Sequence, residues 1–192
     1  MNAKEKRYPA TALETSENEA AVLLIGALKA NKMTFGTAES CTCGMIAAKL
    51  GDFPGVSEYF LGGIVSYANE VKENVLGVPR GVIESVGAVS EECASDMAVG
   101  AIHALGCSAA VSVTGIAGPG GGSDAKPVGT VCFGFALSVK DGESAEKIEV
   151  LTETVRFGDR FELDDTVESR TFVRKMTVIH ALRLAAEHIG KN

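Results

Sequence analysis

The stretch AAVSVTGIAGPGGGSDAKPVGTV, Ala109 to Val131, decides the reading of the fold. It opens as an apolar, β-branched run and then breaks into six glycines between Gly115 and Gly129. A buried strand that runs into such a loop presents backbone N–H groups with no side chains in the way. That arrangement suits a phosphate or a developing oxyanion. Two further strand-to-helix junctions flank the reading: TAESCTCG (Thr37–Gly44) carries a serine and VSYANEVK (Val65–Lys72) carries a lysine. Strands alternate with helices over the first two thirds of the chain, which predicts a parallel sheet. GTVCFGFALSV and KIEVLTETVRF follow each other late, joined by a hairpin around Lys140, Asp141 and Gly142, which predicts an antiparallel edge. The expected class is α/β: a mixed, mostly parallel sheet with helices packed on both faces, in three layers. Ligand sites on such sheets lie beyond the carboxyl ends of the strands, where all three junctions fall.

Between the strands the helical spacing is readable. Ser16-x-x-Glu19 forms a capping box, and Ala20, Leu23, Leu24, Ala27 and Leu28 recur on one face behind it. MTFGTAE reads as a strand, CTCGMIAAKLGD as a helix ending near Gly51, and DFPGVSEYF as a loop with a helical turn. Asn69 is placed to cap a helix through NEVKENVLG, ended by Gly77 and Pro79. Ser90 caps an amphipathic helix that Gly106 ends. FGDRFELDDTVES reads as a polar connection to a last helix over about Arg170–Glu187. The chain is expected to comprise a polar, flexible lead-in over 1–15 and one domain over 16–192.

Composition sets the outer limits. The 192 residues are 46% hydrophobic, enough for one domain with a real core. The net charge is −7 with no basic run, so nucleic acid is not an expected partner, while a small anionic ligand is still compatible. No stretch reaches the ~18 apolar residues of a membrane span. The N-terminus lacks the apolar core of a secretory signal. Five scattered cysteines argue for a reducing, cytoplasmic setting rather than a disulfide framework. Neither they nor the three histidines have metal-ligand spacing, so neither a metal nor a cofactor is expected.

Ser40 sits where a strand gives way to a helix. Its hydroxyl either caps that helix or acts as a nucleophile beside the N–H groups of Thr42, Cys43 and Gly44. No histidine falls at a junction, and Lys72 is the available base. A helix N-terminus and partial burial both favour its neutral amine; the plainer reading is a solvated surface lysine. Thr114 ends the third strand and can relay a proton or orient the lysine, or simply pack as a strand residue. Tyr67 can stack on, or hydrogen-bond to, a ring or ribose. Ser123 and Lys126 follow the glycines and can contact phosphate, or serve as a turn serine and a solvated lysine. Cys41 is the competing nucleophile, with a small buried cysteine as the default.

With those residues in hand, the chain resembles the CinA C-terminal domain family, whose stand-alone members are nicotinamide-nucleotide amidohydrolases. The resemblance runs from about Leu23 to the last helix. TAESCTCG, GGIVSYANEVKENVLGV, GAVSEECASDMAVGA and VSVTGIAGPGGGSDAKPVGTV look like family blocks in family order. It implies hydrolysis of the carboxamide of nicotinamide mononucleotide, with Ser40 as nucleophile, Lys72 as base and Thr114 beside them. It implies that the glycine loop (Gly115, Gly118, Gly120, Gly121) approaches the nucleotide and that Arg160 of FGDR is a further site residue. A homo-oligomer is expected. The alternative is a nucleotide-binding module without catalysis, or a related amidohydrolase with another substrate. Two departures stand out. Cys43 replaces the first of two family glycines, and FELDDTVES is longer than usual.

Overall fold

The computed structural model describes residues 10–141 and 145–191. In chain order the elements are α1 (Ala10–Asn31), β1 (Phe35–Glu39), α2 (Met45–Gly51), β2 (Phe60–Val65), α3 (Asn69–Leu76), α4 (Arg80–Ser85), α5 (Glu91–Leu105), β3 (Ala109–Gly115), β4 (Thr130–Asp141), β5 (Ala145–Arg156), α6 (Phe157–Arg160) and α7 (Val167–Ile189). The sheet has the order β2-β1-β3-β4-β5. β1 pairs in parallel with both β2 and β3, and β3–β4 and β4–β5 pair antiparallel. This is the mixed α/β sheet that the alternation and the late hairpin predict. Asp141 pairs with Ala145 at the head of that hairpin, and its remaining residues lie outside the described ones.

Helices cover both faces. On one, α1, α2 and α7 share a core with the sheet through Leu24, Phe35, Ile46, Phe133 and Leu182. On the other, Leu76 of α3 and Met97 and Ala101 of α5 meet Ala38, Ala110 and Ala136. Fully burying a side chain such as Phe133 contributes about 1.5–3 kcal/mol. The second face is built from small residues because α5 lies close. A Cβ on Gly134 would come 2.3 Å from the Ala94 carbonyl oxygen, and one on Gly100 would come 2.0 Å from that of Leu76.

The register aligns three strand ends. Glu39 pairs with Val65 on one side and with Val113 on the other. The residues that follow these three are Ser40, Ser66 and Thr114, so three hydroxyls stand in a row at the carboxyl edge. Ser40 N–H donates to Val113 O (3.0 Å) and Ser66 N–H to Glu39 O (2.8 Å). The chain leaves β1 through α2 on one face and reaches β3 through α3 and α5 on the other. β1 therefore stands at a reversal of strand order, where open α/β sheets form a crevice.

Several local expectations change. α1 is already helical at Ala10, so Ser16 and Glu19 lie inside it and form no cap. Burial of Leu13 at 5% exposure extends the apolar stripe toward the N-terminus, and no proline or glycine lies between Ala10 and Ser16. Leu23 is 58% exposed; Ala20, Ala21, Leu24 and Leu28 carry the inner face. α2 starts at Met45 rather than Cys41, because Gly44 takes a left-handed conformation (φ 88°) that a continuous helix cannot contain. Ala68, not Asn69, occupies the cap position of α3. The supposed polar connection after β5 holds α6 and the buried Phe157 and Phe161. Ser90 does cap α5, accepting from Cys93 N–H, and Gly106 ends it in the left-handed region.

Candidate active site

The site begins with a residue the sequence reading passed over. Glu39, the last residue of β1, is fully buried. Its Oε2 accepts from Ile46 N–H (3.0 Å), and its Oε1 accepts from Ala47 N–H (2.9 Å) and Thr37 Oγ1 (3.2 Å). The carboxylate thus satisfies the N-terminal donors of α2 and meets the positive end of its dipole. Those donors are unavailable to a substrate.

Between Glu39 and α2 the chain makes a tight turn over Ser40–Gly44. Cys43 N–H donates to Ser40 O (3.1 Å), and Cys43 itself is left-handed at φ 53°. Ser40 is therefore a turn residue that leaves its hydroxyl free of any capping role at α2. That hydroxyl meets Lys72. Lys72 Nζ lies 3.1 Å from Ser40 Oγ, 2.7 Å from Ser66 O and 3.2 Å from Tyr67 O.

Lys72 is 1% exposed, not a solvated surface lysine. Among the described residues no carboxylate forms an ion pair with it. Burial holds its ammonium below the ordinary lysine value, and the neighbouring Cys93 and Cys41 thiols offset part of that. The three N–H groups of the ammonium match the three oxygens around it, and loss of the proton aimed at Ser40 would leave a lone pair that can accept from Ser40 Oγ–H. Two more hydroxyls in the same segments, Thr42 Oγ1 and Ser66 Oγ, are buried with no partner among the described residues.

The remaining expected residues divide. Thr114 is buried next to Ser40 in the row of hydroxyls and donates to Ala88 O (2.7 Å), which leaves its lone pairs to accept. Tyr67 lends its carbonyl to Lys72, while its ring is 58% exposed at the rim. Gly115 continues the ladder opposite Val131. Gly118 is left-handed at φ 85°, and Gly120 and Gly121 are exposed. Ser123 Oγ accepts from Lys126 N–H (3.1 Å), which makes it a turn serine. Lys126 Nζ donates to Val86 O and Val89 O and so ties the glycine loop to the segment before α5. Cys41 is buried, with its thiol pushed up to about 12 by desolvation, so it offers no thiolate.

Arg160 is exposed at the end of α6, with no hydrogen bond to another described residue. Arg170, in the first turns of α7, stands at the site instead. Its Nη1 donates to Gly118 O (2.6 Å) and its Nη2 reaches Tyr67 Oη (3.4 Å). One turn further on, Arg174 Nε donates to Cys41 O (3.1 Å) and Nη2 to Thr42 O (2.9 Å). The signal available in the sequence was the pair itself. Two arginines four apart in SRTFVR share one helical face.

Among the described residues no group of three His, Cys, Asp or Glu side chains could hold a metal ion, and no helix is long and apolar enough to cross a membrane.

Comparison with known proteins follows the same lines. Residues 17–189 match the model of the CinA C-terminal domain. A CinA-like protein of Mycobacterium marinum is 48% identical over 151 residues, covering 78% of this chain and 32% of the relative. One from Chlorobaculum tepidum is 45% identical over 148 residues, 77% of this chain and 34% of the relative. The chain spans about a third of the length of these curated relatives. Among solved structures, the competence/damage inducible protein CihA from Agrobacterium tumefaciens superposes with a TM-score of 0.75 at 35% identity over 96% of each chain. A CinA superfamily protein from Klebsiella pneumoniae gives 0.77 at 29% identity, over 92% of this chain and 99% of that one.

Proposed function

The chain belongs to the CinA C-terminal domain family, and on that premise we propose that it hydrolyses the carboxamide of nicotinamide mononucleotide, giving nicotinic acid mononucleotide and ammonia. The observation that carries the proposal is the buried Lys72 amine 3.1 Å from the Ser40 hydroxyl, with no ion-pair partner among the described residues.

Ser40 Oγ attacks the carboxamide carbon, and its proton passes to Lys72 Nζ. The C–Oγ bond forms as the carbonyl π pair moves onto oxygen. Collapse of that oxyanion breaks the C–N bond, and Lys72 returns the proton to the leaving nitrogen, which departs as ammonia. Water then attacks the ester carbon and gives a proton to Lys72. The second collapse breaks the C–Oγ bond, and Ser40 recovers its proton from Lys72. Thr114 borders this exchange through its free lone pairs. Arg170, held at Gly118 and Tyr67, replaces Arg160 as the cation beside the glycine loop and is the residue suited to the phosphate.

The test is ammonia release from nicotinamide mononucleotide by the intact protein and by Ser40→Ala, Lys72→Ala and the double variant. Each single substitution should lower kcat by at least ~100-fold, and the double should be little worse than the more damaging single. Turnover in Lys72→Ala close to the unsubstituted rate would remove the lysine from the chemistry. An intact protein that binds the nucleotide without releasing ammonia would be a binding module.

A further inference from the structure

We propose that Arg174 is a positioning residue for the acyl-transfer step, fixing the two peptide units after Ser40 so that their N–H groups serve the reacting carbonyl oxygen. The inference rests on the Ser40–Lys72 reading and extends it to the groups that stabilise the oxyanion.

Glu39 takes up the N–H groups of Ile46 and Ala47 at the start of α2, whereas the donors expected beside Ser40, the N–H groups of Thr42, Cys43 and Gly44, lie before that helix. The turn over Ser40–Gly44 is the backbone left beside the nucleophile. Arg174 grips two successive carbonyls of that turn, Nε on Cys41 O and Nη2 on Thr42 O. A peptide unit is planar and trans, so its C=O and N–H point in opposite directions. A guanidinium that holds the carbonyls of Cys41 and Thr42 on its own side turns the N–H groups of Thr42 and Cys43 to the other side.

The layers say which side that is. α7, which carries Arg174, packs on one face of the sheet, and the Lys72 helix packs on the opposite face. Ser40 Oγ points toward Lys72. The turn's donors are therefore turned to the Lys72 side of Ser40, and it is there that the proposal puts the tetrahedral oxygen. The Cys43 N–H is shared with Ser40 O, whereas the Thr42 N–H faces no acceptor stronger than the Cys41 sulfur among the described residues. The positive charge on the carbonyls also polarises both peptides and strengthens their N–H groups as donors. A lysine cannot reproduce this, because two carbonyls one residue apart call for a planar fork.

The experiment compares the intact protein with Arg174→Lys and Arg174→Ala in two assays. The first is steady-state deamidation of nicotinamide mononucleotide. The second is the rate at which a fluorophosphonate modifies Ser40, followed by intact mass; it forms a tetrahedral adduct without needing the nucleotide. Arg174→Ala should lose ~100-fold in kcat with little change in KM, and phosphonylation should slow in parallel. Arg174→Lys should not restore the rate, and added methylguanidine should recover at least about tenfold of the Arg174→Ala loss. A kcat within about threefold of the intact protein would overturn the proposal, as would full activity in Arg174→Lys. So would a loss that methylguanidine leaves unmoved while the melting temperature falls, the pattern of a merely structural residue. If the intact protein fails to deamidate the nucleotide but is phosphonylated faster than Arg174→Ala, the substrate reading fails and the role of Arg174 stands. If Ser40 of the intact protein is not phosphonylated, both fail.

Discussion

Lys72 and Glu39 show how burial and charge work at single positions. Burial holds Lys72 below the ordinary lysine value of 10.5, so the unfolded chain binds more protons between the two values. This group's contribution therefore makes the fold more stable as pH rises through that window. The proposed catalysis has the same sign, since only the neutral amine would accept the Ser40 proton. Log kcat/KM should climb with pH and level off below 10.5. A pH–rate profile that keeps rising to the ordinary lysine value would assign the base elsewhere. Glu39 is a structural charge: both its oxygens accept from the start of α2. Glu39→Ala should cost about 3 kcal/mol in urea unfolding, because two buried N–H groups lose a charged acceptor. Glu39→Gln should recover only part, since its amide NH2 would face one of those N–H groups as donor against donor. Ser40 and Lys72 were legible because a serine and a lysine at strand-to-helix junctions are chemically conspicuous. Glu39, Arg170 and Arg174 were not. A carboxylate in a strand and two arginines on a helix read as surface charge until tertiary contacts supply their partners.

Among the elements, α5 is seated close against α3. Gly100 lies inside α5, where alanine is ordinarily better by about 1 kcal/mol. Here the added carbon would meet Leu76 O at 2.0 Å, and a backbone oxygen cannot swing away as a side-chain end can. Gly100→Ala should therefore destabilise by at least ~2 kcal/mol and lower Tm by several degrees. Gly26 in α1 supplies the control: a Cβ there meets nothing within 4 Å, so Gly26→Ala should raise stability by up to about 1 kcal/mol. Thermal unfolding of the two variants side by side checks both signs, and a stabilised Gly100→Ala would mean that α5 shifts freely against α3. The same contrast explains which elements could be read in advance. α5 and α7 are long and periodic, and Ser90 marks the start of α5; Thr166, the cap of α7, lies in the stretch that reads as a polar connection, so that helix is expected to begin late, near Arg170. α4 and α6 have six and four residues, too few to show a period, and were missed. α1 was begun too late because a local cap competed with Leu13, whose burial only the packed molecule reveals.

For the molecule as a whole, the order of strands and helices was enough to foresee a sheet that changes from parallel to antiparallel pairing. The sequence was silent on how α7 returns, from the far end of the chain, to brace turns made more than a hundred residues earlier. A second property of the whole is how it distributes sulfur. Cys41, Cys93, Cys107 and Cys132 are buried, and Cys43 is exposed. To an alkylating reagent the folded protein therefore presents one target, on the turn that carries the nucleophile. If the proposed Ser40–Lys72 chemistry holds, iodoacetamide should abolish the activity with one adduct per chain and mimic a cysteine hydrolase. Cys43→Gly, which also suits the left-handed backbone there, should stay active and become indifferent to the reagent. On the proposed serine mechanism, inhibitor profiling that relied on thiol blockers alone would assign this protein to the cysteine hydrolases, and a screen for covalent ligands would find its handle on the turn that carries Ser40.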